Sequence, residues 1–162
     1  MEGRAVLVVD RLRELTAADR AAILAPLDEF SRGRGFAWEP APLALALRDD
    51  AGRVVGGLIG EVQWGWLRID ILAVAEGHRG GGWGRRLVED AERLALAAGC
   101  HSAWVDTFSF QSPGFYRRLG YVVFGELPDY PAGQVRSFLR KRLAAAGSPD
   151  TEPGSVLSSG DS

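Results

Sequence analysis

The stretch AVAEGHRGGGWGRRLVEDAERLALAAG, residues 73–99, places five glycines between Gly77 and Gly84 and no further glycine until Gly99. A short apolar run, WLRIDILAV at residues 66–74, leads into it. A strand, a glycine loop and a helix start in this order present several backbone N–H groups at one point, where the helix dipole favours an anion. The stretch therefore predicts a phosphate-binding loop.

The residues after this loop follow the spacing of an amphipathic helix that Gly99 ends. Charged residues stand one turn apart, Arg86 with Asp90 and Glu89 with Arg93, and are expected to pair on the exposed side. The predicted apolar side of the helix comprises Trp83, Leu87, Ala91, Leu94 and Ala98.

Two common phosphate-binding motifs do not fit the loop. A Walker loop needs a lysine after its last glycine, but the only lysine in the chain is Lys141. The dinucleotide pattern GxGxxG is broken, because Arg85 stands where the third glycine after Gly80 and Gly82 would be. The loop therefore serves another phosphate ligand.

Composition indicates one soluble globular domain followed by a polar tail. The chain has 162 residues, of which 46% are apolar and 25% charged, with a formal charge of −2. Residues 144–162 are small, polar and rich in Pro, Gly and Ser, which predicts a disordered tail after a domain at residues 1–143. Without that acidic tail the chain is almost neutral, which argues against a nucleic-acid partner.

Few residues are available for a metal site or a disulfide. Cys100 is the single cysteine, and only His78 and His101 accompany it, so neither a disulfide nor a zinc site is expected. His78 is interpreted as a loop residue, and Cys100 as a buried residue rather than a nucleophile. The apolar run near the N-terminus stops at Asp10, too early for a signal peptide or a membrane span, so a cytoplasmic protein without a membrane partner is expected.

The remaining patterns predict a mixed α/β element order. A first strand is expected over residues 4–10, then a helix capped by Thr16 and Asp19 and interrupted at Pro26. A hairpin with its turn at 49–52 follows. Strict alternation in the strand at 66–74 predicts that Leu67, Ile69 and Ile71 share one face, and Arg68, Asp70, Leu72 and Val74 the other. The second half is predicted to contain strands at 102–108, 121–125 and 135–143 and a short helix at 113–120.

Two motifs resemble those of one enzyme family. Arg79–Gly84 matches the pattern R-x-x-G-x-G, and FYRRLGY at residues 115–121 places a tyrosine on a short helix before a Leu-Gly-aromatic sequence. In this order and on these elements they resemble the GNAT superfamily of N-acetyltransferases, over roughly 72–140. The resemblance implies a GNAT fold of the α/β (α+β) class, with a mixed, mostly antiparallel twisted sheet of about six or seven strands and about four helices.

In this family the glycine loop holds the pyrophosphate of acetyl-CoA, so acetyl-CoA is the expected co-substrate and no metal is expected. The family often has Asn seven residues before the tyrosine, where this chain has Ser109, so Ser109 or Gln111 is expected to replace its contact with the pantetheine arm. The residues expected to bind the co-substrate are Leu72, Val74, Arg79, Gly80, Gly81, Gly82, Trp83, Gly84, Arg85, Ser109 and Gln111. An exposed helix arginine is the alternative interpretation of Arg85.

Transfer to an amine needs a base for the ammonium and an acid for the departing thiolate. Tyr116 stands at the family's tyrosine position and is the expected general acid; packing against Phe115 and Tyr121 is the alternative. Asp70 and Glu61 are the candidate bases, with Asp106 as a third. Ion pairs with Arg68 or Arg53 would explain these carboxylates nearly as well. A backbone N–H near Val74 is implied to meet the carbonyl oxygen.

The acceptor side is expected to be acidic and aromatic. Glu126, Asp129 and Tyr130, in the predicted loop before the last strand, are candidates for one wall, although a solvated loop explains them equally well. Four further aromatic residues either line the acceptor pocket or belong to the core: Phe36, Trp38, Trp64 and Trp66.

The sequence thus predicts an enzyme that moves the acetyl group of acetyl-CoA to a primary amine, by direct attack in a ternary complex. A small-molecule amine is favoured as the partner. A protein or peptide amine, or a non-catalytic acyl-CoA-binding protein, are the alternatives. Pairing of the last strands at a sheet edge would allow a homodimer.

Overall fold

The computed structural model describes residues 7–143, apart from the side chain of Pro113. The chain divides into two compact units, Met1–Glu39 and Pro40–Ser162. The first contains helix α1, Ala17–Gly33. The expected first strand is wrong over residues 7–10, which form no strand, and residues 4–6 and the predicted tail at 144–162 lie outside the described residues.

Helix α1 begins as predicted but does not stop at its proline. The Thr16 hydroxyl accepts a hydrogen bond from the N–H of Asp19, whose carboxylate in turn accepts one from the N–H of Thr16, so the capping box is confirmed. The expected interruption at Pro26 is wrong, because the helix runs through it. Proline removes one backbone donor, and the turns on either side keep their own hydrogen bonds.

The second unit is built on a six-stranded mixed sheet in the order β1-β2-β3-β4-β6-β5. Among the described strands, only the pair β3–β4 is parallel, as a helical crossover between these strands requires. The strands are β1 Ala41–Arg48, β2 Val54–Gln63, β3 Trp66–Val74, β4 Ser102–Phe108, β5 Val122–Pro128 and β6 Val135–Arg142. The predicted mixed, mostly antiparallel sheet is confirmed.

The described part of this unit contains α-helix α2 at Trp83–Ala97 and α-helix α3 at Pro113–Arg118. With α1 there are three α-helices among residues 7–143, against about four predicted. The predicted hairpin turn is confirmed, since the N–H of Gly52 donates to the carbonyl of Asp49 and Gly52 has a φ of 77°. In the part of the chain that is described, no helix has both the length and the apolar character needed to cross a membrane.

Helix α2 packs over β1, β2 and β3, but its buried side is rotated from the prediction. Trp83 and Leu94 are 41% and 39% exposed, whereas Val88 and Ala95 are fully buried. The expected pair of Glu89 with Arg93 is wrong, because Glu89 pairs with Arg85 and Arg93 with Asp90. The core of this unit comprises Leu58, Leu67, Ile69, Leu87, Val88, Ala91, Ala95, Ala103, Val105, Tyr116, Tyr121, Leu139 and Leu143, with Cys100 beside them.

A β-bulge in β3 overturns the strict alternation predicted for that strand. Ile59 pairs with Ile71 and Gly60 with Ile69, which leaves Asp70 as the extra residue. The side chains beyond the bulge therefore change face: Ile71 is 53% exposed, and Leu72 packs against the core. The bulge follows Ile69, the last residue of β3 that pairs with β4.

Candidate active site

Strands β3 and β4 separate halfway along their length. Their pairing runs from Trp66 with Ser102 to Ile69 with Val105, while β3 continues to Val74 and β4 to Phe108. The result is a wedge-shaped opening between two central strands of the sheet. Backbone groups on the facing edges of this opening are free of the β3–β4 ladder.

The open edge of β3 carries backbone donors. The N–H of Ala75 donates to the carbonyl of Val55 on β2, at 2.8 Å. Successive N–H groups of a strand point to opposite edges, so those of Val74 and Leu72 point toward the opening. A carbonyl oxygen that gains negative charge could be stabilised there.

The glycine loop leads from this edge to the start of α2. Gly80 and Gly82 have φ angles of 83° and 77°, which side chains rarely permit, so glycine is required at both positions. Gly82 is the N-cap and supplies no side-chain acceptor, so the first N–H groups of α2 have no side-chain cap. These open donors at the positive end of a fifteen-residue helix fit a pyrophosphate.

Two arginines expected at the pyrophosphate have partners within the protein. The Nε–H of Arg79 donates to the carbonyl of Val74 at 2.9 Å, which ties the glycine loop to the end of β3. The Nε of Arg85 lies 2.7 Å from a carboxylate oxygen of Glu89 on the exposed side of α2, and this pair raises the pKa of Arg85. Both arginines remain on the surface of the cleft.

Gly84 and Gly81 contact aromatic side chains. A Cβ on Gly84 would lie 3.4 Å from the ring of Phe115, so this glycine lets α2 and α3 approach closely. A Cβ on Gly81 would lie 2.9 Å from the indole nitrogen of Trp83. The glycines of this loop are therefore needed for close packing as well as for backbone conformation.

The opening, the loop and α3 together enclose a cleft of about 820 Å³. Most residues expected to bind the co-substrate line it, whereas Gly81, Ser109 and the candidate base Glu61 do not. The expected residues on its surface are Asp70, Leu72, Val74, Arg79, Gly80, Gly82, Trp83, Gly84, Arg85, Asp106, Gln111 and Tyr116.

Tyr116 lies in α3 on the wall of the cleft and is 7% exposed. Its ring contacts those of Phe115 and Tyr121, with centroids 5.0 and 5.7 Å away, so the packing role considered for it is also real. Burial, followed by the negative charge of Asp106, raises the pKa of Tyr116 to about 12. The phenol therefore keeps its proton at neutral pH.

Arg68 pairs with two of the three carboxylates considered as bases. Its Nε lies 2.6 Å from an oxygen of Asp70, and its terminal nitrogen lies 3.5 Å from an oxygen of Glu61. These contacts, chiefly the one with Asp70, raise the pKa of Arg68. Of the two carboxylates, only Asp70 is at the cleft.

The third carboxylate, Asp106, is held by an arginine thirty residues later. The Nε–H of Arg136 on β6 donates to Asp106 at 2.7 Å, and the guanidinium also lies over the rings of Phe108 and Tyr130. The pKa of Arg136 is raised, mainly by Asp106. Nothing in the sequence indicated this pair, because it depends on the register of β4 with β6.

The two residues proposed to replace the family's asparagine are in different places. Gln111 lies on the cleft, and its carbonyl oxygen accepts hydrogen bonds from the Thr107 hydroxyl and the N–H of Phe108. Ser109 instead donates to Gln134 and accepts from the N–H of Val135, so it joins the loop before β6 to β4.

The expected acceptor wall is not found at the cleft, because none of the residues predicted for it, Glu126, Asp129 and Tyr130 included, is among the described residues that line the cleft. Glu126 accepts a hydrogen bond from the hydroxyl of Ser137, and Trp66 packs edge-on against His101. Neither Trp64 nor Trp66 is among the described residues that line the cleft, and Phe36 and Trp38 belong to the first unit.

Three residues that line the cleft were not predicted from the sequence. Phe110 and Thr107 were missed, and His78 was assigned no role. Across residues 7–143, no three side chains of His, Cys, Asp or Glu are grouped to hold a metal ion.

Comparison with known proteins agrees with this geometry. The family model "Acetyltransferase (GNAT) family" matches residues 9–121. Blasticidin-S acetyltransferase of Streptomyces morookaense is 46% identical over 95 residues, which are 58% of this chain and 70% of that protein. An acetyltransferase of Agrobacterium fabrum is 34% identical over 122 residues, 75% of this chain and 89% of that protein.

A crystal structure of an acetyltransferase from Bacillus cereus superposes with a TM-score of 0.74 at 28% identity, covering 83% of this chain and 98% of the other. The fold, the two motifs and the family match therefore agree. The chain belongs to the GNAT family and is an acetyl-CoA-dependent N-acetyltransferase.

Proposed function

We propose that this enzyme acetylates a primary amine on a small molecule, by direct attack of the amine while both substrates are bound. The observation that carries the proposal is the opening between β3 and β4. It places open backbone donors, Asp70, Asp106 and Tyr116 on one cleft that also holds the glycine loop. The presence of the glycine loop and these groups on one cleft favours direct transfer over a relay through the protein.

Acetyl-CoA supplies the acetyl group as an activated thioester. The first N–H groups of α2, with Gly80 and Gly82 shaping the loop, bind its pyrophosphate, and Arg79 and Arg85 add positive charge. Leu72, Val74 and Gln111 border the path of the pantetheine arm from the loop to the opening. Binding of the pyrophosphate at the loop thus aligns the thioester with the backbone donors of β3.

Three groups act on protons and charge at the reaction centre. Asp70, in the bulge of β3, takes the proton from the incoming ammonium directly or through a water. The N–H groups on the open edge of β3 stabilise the carbonyl oxygen as it gains charge. The Tyr116 phenol, which is protonated at neutral pH, gives its proton to the departing sulfur as the C–S bond breaks, and it regains a proton from the nitrogen, which loses its second proton on forming the amide.

Two observations support a small-molecule acceptor: the name of one relative and the carboxylates that line the cleft. The relative from Streptomyces morookaense is named for acetylation of blasticidin S, a small molecule. Asp70 and Asp106 both line the cleft and favour a cationic amine. The loop at residues 129–134, between β5 and β6, is linked to Asp106 through Tyr130, whose ring lies under the guanidinium of Arg136.

The test is thiol release from acetyl-CoA by the purified protein with a panel of polyamines, aminoglycosides, arylalkyl amines, amino acids and lysine peptides. The proposal expects turnover with one or more small amines and little with the peptides. Turnover confined to lysine peptides would contradict the small-molecule acceptor. No thiol release with any amine, while acetyl-CoA still raises the melting temperature, would contradict the proposed transfer.

A further inference from the structure

Three aromatic side chains, two of them exposed and Phe108 half-buried, form a contiguous group beside the cleft. The rings of Phe108 and Phe110 are stacked, with centroids 5.3 Å apart and planes 14° apart. The ring of Tyr130 meets Phe108 edge-on at 5.9 Å. We call Phe108, Phe110 and Tyr130 the aromatic platform.

The platform is poorly explained by packing. Phe110 is 60% exposed and Tyr130 47% exposed, and neither belongs to the buried core. Exposed aromatic surface of this kind, next to a cleft, is typical of a binding site.

The aromatic platform is continuous with the reaction centre. Phe110 itself lines the cleft. Arg136 lies over the rings of Phe108 and Tyr130, at 5.4 and 5.2 Å from their centroids, and its Nε–H binds Asp106, which also lines the cleft. A ligand resting on Phe110 would therefore have the carboxylates of Asp106 and Asp70 on the same cleft surface.

The aromatic platform and the carboxylates of the cleft favour different parts of one ligand. Aromatic faces favour flat rings, which stack at small offsets, and carboxylates favour an ammonium. We propose that the aromatic platform binds a flat ring of the acceptor, so that the substrate class is a primary amine on a short chain attached to an aromatic or heteroaromatic ring. This inference rests on the proposed function, whose acceptor it specifies.

The experiment compares two amines of equal length that differ in the flatness of their ring, 2-phenylethylamine and 2-cyclohexylethylamine. For the native enzyme, kcat/KM is expected to be about 2- to 10-fold higher for the phenyl compound, as expected for one aromatic pair. In Phe110→Leu, which keeps apolar bulk but removes the ring, the ratio is expected to fall to about 1. The melting-temperature shift on adding acetyl-CoA should be unchanged and shows that the variant folds and binds.

Phe124→Leu is the matched control. Phe124 is 54% exposed on β5, contacts Phe138 at 6.3 Å and does not line the cleft, so the same substitution there should leave the ratio unchanged. If Phe110→Leu does not fold, Tyr130→Leu is measured in its place and is expected to lower the ratio.

Several results would overturn the inference. Equal kcat/KM for the two amines with the native enzyme would do so, as would an unchanged ratio in Phe110→Leu. A weakened response to acetyl-CoA in that variant at an unchanged ratio would assign Phe110 to the co-substrate instead. Turnover of other amines with neither ring compound accepted also contradicts the inference but leaves the proposed function standing, whereas no turnover with any amine contradicts the proposed function itself.

Discussion

Tyr116 is the side chain whose replacement best separates binding from chemistry. Its phenol is buried on the cleft wall, and burial raises its pKa to about 12. Tyr116→Phe keeps the ring that packs on Phe115 and Tyr121 and removes only the hydroxyl. We expect kcat to fall about 100-fold, the size of one acid–base contribution, with an unchanged Kd for acetyl-CoA. Steady-state kinetics and calorimetric titration measure the two quantities.

The pH dependence follows from the same raised pKa. Because the fold favours the neutral phenol, Tyr116 contributes stability below its usual pKa of 10.0, and this stability is lost as the pH rises toward about 12. Tyr116→Phe should therefore lose less unfolding free energy over that interval than the native chain.

For the kinetic prediction on Tyr116→Phe, the control is Tyr121→Phe, since Tyr121 does not line the cleft. A native rate in Tyr116→Phe would remove Tyr116 from the mechanism.

Glu92 is a buried carboxylate that holds two distant elements together. It lies in α2 and accepts hydrogen bonds from the hydroxyl of Tyr121 at 2.9 Å and from Lys141 on β6 at 2.7 Å. Glu92→Leu would leave the ammonium of Lys141 without this partner, and we expect unfolding free energy to fall by about 3 kcal/mol in urea titrations. The double variant Glu92→Leu with Lys141→Met should recover part of that loss, and an equal or larger loss would contradict the pairing.

At the scale of elements, the glycine loop depends on backbone conformation. Gly82 is the N-cap of α2 at a φ of 77°, where a side chain costs about 1–2 kcal/mol. Gly82→Ala is expected to weaken acetyl-CoA binding about tenfold, since relief of the strain would turn the first N–H groups of α2 away from the pyrophosphate. Isothermal titration measures this change.

Gly77→Ala is the matched control for the loop. Gly77 has an ordinary φ, and a Cβ there would meet nothing within 4 Å. The affinity of the Gly77→Ala variant for acetyl-CoA should stay within about twofold of the native value, because surface substitutions away from special backbone positions have small effects. Equal losses in both variants would mean that loop flexibility, rather than the conformation at Gly82, controls binding.

Local patterns predicted most elements, but they missed the bulge in β3 and the continuation of α1 through its proline. The glycines, the Thr16 cap and the helical spacing after Trp83 act over a few residues, so the sequence displays them directly. The bulge at Asp70 arises from the pairing of β2 with β3, and it reverses the faces that simple alternation assigns. The helix running through Pro26 shows likewise that neighbouring hydrogen bonds outweigh one local signal.

The candidate site divides in the same way between local and distant contributions. The loop from Arg79 to Gly84 and the position of Tyr116 are readable because each lies within one short motif. The link from Asp106 to Arg136 spans thirty residues, and the strand register alone brings those residues together. The aromatic platform is also assembled from two segments, so no pattern within either one predicts it.

At the scale of the whole molecule, Leu143 is the last described residue and belongs to the packed core. Its side chain is 6% exposed, and its N–H donates to the carbonyl of His101 at 2.9 Å. A chain that stops after Leu143 would lose three acidic and no basic residues, changing the formal charge from −2 to +1. We expect its melting temperature and kcat/KM to match those of the full chain, as calorimetry and thiol release would measure.

A chain that stops after Lys141 tests whether that boundary is correct. It removes Leu143 with its hydrogen bond and also Arg142, which pairs with Ser102 at the end of β6. Burial of a leucine side chain alone contributes about 2 kcal/mol, so the melting temperature should fall by several degrees for a domain of this size. The pair of truncations thus separates the contribution of Arg142 and Leu143 from any contribution of residues 144–162. Loss of stability already in the longer truncation would show that residues 144–162 contribute to the fold, and loss of turnover alone would show that they contribute to the site.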